Sequence, residues 1–292
     1  MNKKLKVNLL SIATIFFWAL AFPFSKVAMK HFTPYALGFL RVVIASIALL
    51  IIGRFAGNRL PKKKDLVWFF LAGACGFGIY LFAFNRGIQT LTSASSSIVI
   101  AMTPVFTAVG ANYVYREKLN IIGWITLATA FLGVVVMMLW NGIFSINSGI
   151  FWTLGAAFVF CVYNLLNRKL SSMGYKAVEI VTYSMISAII ILSPFSVKAV
   201  KEVATAGRSD IIVLLILGIL SSATAYYLWS IALSLTDNTS DVTNYGFVTP
   251  FMATILGSII LREVPGMGTI IGGTIIIVSI IIFSKKGKKK IS

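Results

Sequence analysis

The stretches "TPVFTAVGANYVYRE" (residues 103–117) and "TPFMATILGSIILRE" (residues 249–263) are near-copies of one another. Each has Thr-Pro, eleven mostly apolar residues, then Arg-Glu, and the two lie 146 positions apart in a chain of 292, which is half its length. The chain therefore reads as a duplicated unit, with residues 1–145 as the first copy and 146–292 as the second. Further matches at the same offset set Tyr226 against Tyr80 and Thr243 against Ser97. "FFWALAFPFSKVAM" and "FVFCVYNLLNRKLS" correspond more loosely, at a slightly different offset.

Hydrophobic residues make up 58% of the chain and charged residues only 12%, with a mean hydropathy of +0.92, whereas a soluble domain carries about twice that share of charge. This predicts an all-α integral membrane protein. A hydrocarbon core of about 30 Å needs around 20 apolar residues per crossing. Ten runs meet that need, over 7–29, 34–53, 66–86, 92–115, 120–140, 148–167, 177–197, 211–234, 240–261 and 265–284. The longest connections are too short to fold by themselves.

The net charge of +18 does not point to nucleic acid, because Lys and Arg gather between the apolar runs with no basic, aromatic-interleaved face. With the amino terminus inside, eighteen of the 26 basic residues fall on the inner side, seven on the outer, and Arg41 lies within a span. The positive-inside rule then predicts a multi-pass protein of the cytoplasmic membrane with both termini cytoplasmic, in keeping with ten crossings. The first run is too long for a signal h-region and lacks a small-residue cleavage site. Cys75 and Cys161 lie in apolar spans and read as small buried hydrophobes.

Five crossings per copy is an odd number, so the second copy enters the bilayer from the opposite side. The fold expected is two inverted five-helix repeats. Inverted repeats are a common build of secondary transporters, in which exchange of the two halves' conformations alternates access to a central site.

Ten spans in two five-helix repeats, short loops, and a Pro in mid-helix 4 of each repeat with a Glu thirteen residues later resemble the drug/metabolite transporter superfamily, specifically its ten-helix EamA-type branch. The resemblance covers the whole chain. It implies a central cavity lined by helices 1, 3, 4, 6, 8 and 9, with helices 5 and 10 peripheral. It also implies movement of amino acids, other metabolites or drugs, often outward.

Physical reasoning assigns candidate roles within this frame. Pro104 and Pro250 lack an amide proton and are expected to leave the carbonyls of Ile100 and Gly246 without their usual partners, which is tolerable at mid-membrane only where protein or a wet cavity satisfies them. They are the candidate hinges. Glu117 and Glu263 directly precede helices 5 and 10 and read as caps of those helices, with coupling-ion chemistry or gating as alternatives. Candidate substrate-binding residues are Trp18 and Phe22 on helix 1, Tyr80 and Phe84 on helix 3, Ser96 and Thr103 on helix 4, Tyr163 and Asn164 on helix 6, Tyr226 and Trp229 on helix 8, and Asn244 on helix 9. Thr107, Ser230 and Thr249 extend the polar stripes. Aromatic walls with a few hydroxyls and amides suit a modest organic solute; ordinary packing or an interfacial belt is the alternative for each aromatic.

Arg41 either snorkels to the outer surface or anchors a substrate carboxylate or a helix end. Asp237 and Asp241 read as capping charges at the start of helix 9, with Asp241 the leading candidate for a proton carrier; proton coupling and facilitated diffusion both stay open. Small residues at Ala72 and Gly76, and at Gly268 and Gly272, allow close helix contact, within the monomer or across a homodimer. The single His31, the lack of HExxH and the lack of GxxxxGK[ST] argue against a metal, a cofactor, ATP hydrolysis and enzyme catalysis. The function expected is secondary transport, in the direction of export, of small organic metabolites such as amino acids or drugs, with a lipid-linked substrate flippase or membrane scaffold of the same fold as the alternative.

Overall fold

The computed structural model describes residues 3–116, 119–140, 147–236 and 239–286, and within them all side chains but those of Met137, Met138, Ser240, Asp241 and Ser284. Glu117, Asp237 and the side chain of Asp241 therefore lie outside the described residues. Ten helical segments follow in order: α1 (Lys3–Ala28), α2 (Pro34–Ala56), α3 (Lys63–Ile88), α4 (Ser93–Tyr115), α5 (Ile121–Leu139), α6 (Ser148–Ser172), α7 (Ala177–Ala204), α8 (Arg208–Ser234), α9 (Thr239–Thr243 continuing through Asn244–Val248 and Thr249–Leu261) and α10 (Met267–Lys286). Eight of the segments are long and apolar enough to cross a bilayer; α5 and α10 hold shorter apolar stretches, Ile121–Val136 and Met267–Phe283.

The packing has a twofold logic. Helix α1 lies against α8 and α9, and α6 lies against α3 and α4; α2 meets α7, α4 meets α9, and α5 meets α10. Exchanging α1–α5 for α6–α10 carries this pattern into itself. The duplicated sequence thus gives a fold of two inverted five-helix repeats, with α5 and α10 paired at one side.

Small residues make that last contact close. A Cβ on Gly133 would come within 2.7 Å of the Gly272 carbonyl oxygen, and one on Gly268 within 2.6 Å of Trp140 Cβ. Likewise, the ring of Tyr163 occupies the place of any Cβ at Gly76. These small residues are used inside the monomer, where van der Waals approach substitutes for the hydrophobic drive that lipid cannot supply.

Helices α3 and α8 widen into π-helix at corresponding places. Helix α3 is π-helical over Ala74–Gly78 and α8 over Ile216–Thr224; adding the repeat offset of 146 to the first range gives 220–224, inside the second. Each π segment widens a turn and loosens the backbone ladder, a distortion that often accompanies functional sites. The repeated motif also ends in the same way twice. Arg116 and Arg262 both take left-handed backbone, with φ of 57° and 55°, and their amides close the helices on Ala111 and Gly257 respectively.

Candidate functional site

Between the two halves lies a cavity of about 50 Å³ lined by α1, α2, α3, α4, α6, α8 and α9. Since a water needs roughly 10–15 Å³, the space has room for a few waters. A metabolite would require the helices to part.

The wall is aromatic. Trp18 stands with its ring centre 4.8 Å from Trp229, 5.2 Å from Tyr226 and 5.4 Å from Phe160. Tyr80 packs on Phe160 at 5.0 Å and stacks with Phe84 at 5.8 Å, and Phe84 meets Phe22 at 5.2 Å. Edge-to-face and offset contacts of this kind are favourable beyond the area they bury. The rings come from helices of both halves, so the cluster ties the repeats together around the cavity.

Of the residues expected from sequence, Trp18, Phe22, Tyr80, Phe84, Thr103, Pro104, Tyr226, Trp229 and Thr249 line this space, together with Arg41. Tyr163 and Asn164 stand behind the wall and support it. Trp229 Nε1 donates to Asn164 Oδ1 at 2.9 Å, and Asn164 Nδ2 donates to Thr107 Oγ1 at 3.4 Å. Asn167 Nδ2 donates to the Tyr163 hydroxyl and to Ser230 Oγ. Ser96 is buried away from the cavity. Asn244 is half-buried and outside the lining, and Pro250 is buried but does not line it.

The prolines act differently from the expected interior kink. Pro104 and Pro250 occupy the first turn of new helical segments, Thr103–Tyr115 and Thr249–Leu261, where a missing amide proton costs nothing. Helix α4 breaks at Ala101 and Met102, and the Met102 carbonyl accepts from Val105 and Phe106. In α9 a 3₁₀ stretch precedes Thr249, whose amide donates to the Gly246 carbonyl. Pro250 cannot supply the usual partner of that carbonyl, and the Thr249 amide supplies one instead. Ile100 and Gly246 themselves lie on the cavity wall.

Glu263 also departs from expectation. It does not cap α10. One carboxylate oxygen accepts from the Ser93 amide at 2.7 Å, at the start of α4, and the other pairs with Lys26 at the end of α1. Lys26 Nζ further donates to the Leu91 carbonyl at 2.9 Å. Helix dipole, charge pairing and an orphan amide are all served by one carboxylate, and three cavity helices are joined at that end of the bundle. Arg168 is the counterpart of Lys26 in the loosely matched first-helix segments. It donates to Thr239 Oγ1 at 3.2 Å and lies over the Tyr115 ring at 4.1 Å, joining α6, α9 and α4 at the other end.

Arg41 does not snorkel. It is 2% exposed, and α2 delivers it to the cavity wall, where Nε donates to Ser222 Oγ at 3.2 Å and Nη1 to Ser25 Oγ at 3.3 Å. Helix 2 was not among the cavity helices implied by resemblance. Phe160 was also missed, although it falls on Trp18 when the two first-helix segments are aligned. The two π segments had no signal beyond glycines within apolar runs.

The sequence model of the EamA-like transporter family matches residues 5–139 and again 147–285. An uncharacterized transporter, YdfC, of Bacillus subtilis is 28% identical over 88% of this chain and 84% of its own length. A probable terminal-alkyne amino-acid exporter of Streptantibioticus cattleyicolor is 27% identical over 94% of this chain and 92% of its own. One solved crystal structure shares the fold, with a TM-score of 0.64 at 17% identity, covering 94% of this chain and 95% of that one. Two matches of one family sequence, on two halves that enclose a single aromatic cavity, place this chain in the EamA-like transporter family of the drug/metabolite transporter superfamily, as a multi-pass membrane protein of transmembrane transport.

Proposed function

We propose that this protein is a secondary transporter that exports small organic metabolites, amino acids or drugs among them, across the cytoplasmic membrane by alternating access. The observation that carries the reading is the aromatic cavity built from helices of both halves. In this proposal the units 1–145 and 146–292 are the two bodies that exchange conformations, and both termini are cytoplasmic. The ties at the two ends, Lys26 with Glu263 and Arg168 with Thr239, join cavity helices and are suited to breaking in turn as one end opens. Export is the direction named for the Streptantibioticus relative. The driving force is a solute or ion gradient, and Asp241 is the candidate proton carrier on sequence grounds.

Purified protein in liposomes is expected to move labelled hydrophobic amino acids down an imposed gradient. Tyr80→Ala and Trp229→Ala should slow the flux while the folded protein is retained, because each removes one wall of the cavity. Unchanged flux in both variants, for every solute the parent carries, would contradict the site.

A further inference from the structure

We propose that the transported solute carries a carboxylate, and that Arg41 is the residue that receives it, so that the substrates are amphipathic carboxylic acids with an apolar or aromatic body. This inference rests on the cavity being the transport site. A guanidinium stays protonated in proteins, and an uncompensated charge at this depth is costly unless paired or hydrated. Yet the only described hydrogen-bond partners of Arg41 are two neutral hydroxyls, Ser25 and Ser222.

The described carboxylates are all engaged elsewhere. Asp65 accepts from the Tyr175 hydroxyl, Glu179 from the amides of Arg59 and Lys176, Glu202 from the Thr33 amide, Asp210 from the Gly207 amide, and Glu263 from Lys26 and Ser93. None is near Arg41. The guanidinium has five N–H donors, of which the two hydroxyls take two, and its fork matches the two oxygens of a carboxylate better than any single-point acceptor.

A second donor points the same way. Trp18 lines the cavity, and its Nε1 is buried with no hydrogen-bond partner among the described residues. A buried donor left unpaired is expensive, so a cavity with a surplus of positive charge and N–H groups is complementary to an anionic acceptor. The rest of the wall combines the rings of Phe22, Phe84, Phe160 and Trp229, which offer an apolar body its matching surface, with hydroxyls of tyrosines and threonines such as Tyr80 and Thr103. A neutral solute can accept a hydrogen bond from Arg41 but leaves its charge uncompensated, and a cationic one adds to that charge.

The test uses purified full-length protein titrated with matched pairs: 3-phenylpropionate and 3-phenylpropanamide, L-phenylalanine and its amide, L-leucine and its amide. Binding is read by tryptophan fluorescence and by thermal midpoint. The acid of at least one pair should bind about tenfold or more tighter than its amide, as a charge-assisted bidentate contact provides. Arg41→Lys should retain part of that preference and Arg41→Gln should abolish it. The wild-type acid and amide comparison needs no variant, so poor folding of Arg41→Gln leaves the test intact. Amides binding as well as acids in every pair, no member of any pair binding, or a preference that survives Arg41→Gln would overturn the assignment. Liposome flux separates the two readings: amide or neutral solutes carried without acid preference refute the role of Arg41 alone, whereas acids bound but no solute moved refutes transport through the cavity.

Discussion

Helices α4 and α9 begin from nearly the same words and end in different surroundings. Of the most apolar part of α4, 78% is buried; for α9 the figure is 22%. Val105 is 1% exposed, and its repeat mate Phe251 is 55% exposed. The shared features are those set by local chemistry: Thr-Pro opening a new helical segment, and an arginine in left-handed backbone closing it. The unshared feature is what lies against the outer face. Sequence duplication therefore repeats the backbone devices while the surroundings diverge, and α4 is enclosed where α9 meets lipid.

The comparison is most easily broken by exchanging residues between mates. Val105→Phe should destabilise by about 1–3 kcal/mol, since an enclosed site resists added volume, while Phe251→Val should change stability by less than about 0.5 kcal/mol, as for exposed sites. Thermal midpoints in detergent measure both. Equal effects at the two positions would mean that α9 is covered as α4 is.

Glu263 comes next. Its side chain is only 13% exposed and that of Lys26 24%, so Glu263→Gln should cost about 1–2 kcal/mol through the lost charge-assisted bonds. A double-mutant cycle with Lys26→Met reads the pair alone, and a coupling near zero would show that the ion pair contributes little to closing that end. The smallest expected effect sharpens the likeness instead of the difference. Arg116→Gly and Arg262→Gly each relieve left-handed backbone at some cost in unfolded-chain entropy, so each should stabilise by about 0.5 kcal/mol, and by similar amounts. A gain in one repeat and a loss in the other would show that only one arginine is held by side-chain contacts.

The number of helices, their division into halves and most of the aromatic residues around the cavity, Phe160 excepted, are legible in the sequence because hydropathy runs and repeated words are local signals. What is not legible is long-range. Glu263 is 170 residues from Ser93 and 237 from Lys26, so reasoning along the chain assigns it to the nearest amides, those of α10. Helical spacing sets Ser96 on one stripe with Thr103 and Thr107, but the break at Ala101 and Met102 puts it on a separate segment, outside the cavity lining. An apolar run with helical period does not distinguish a π turn from an α turn, which hides both Ala74–Gly78 and Ile216–Thr224. Nor does the α2 sequence show that α8 packs against it and supplies Ser222 as a partner for Arg41.

Cysteine accessibility at Thr103 is the most direct test of alternating access. Thr103→Cys, in a background with Cys75→Ser and Cys161→Ser, sits on the cavity wall where the second segment of α4 begins. Membrane-impermeant thiol reagents should modify it from either face of sealed, oriented vesicles, at rates that shift in opposite directions when a solute gradient is reversed. Modification from one face alone under every gradient, or from neither, would contradict a cavity that opens to each side in turn.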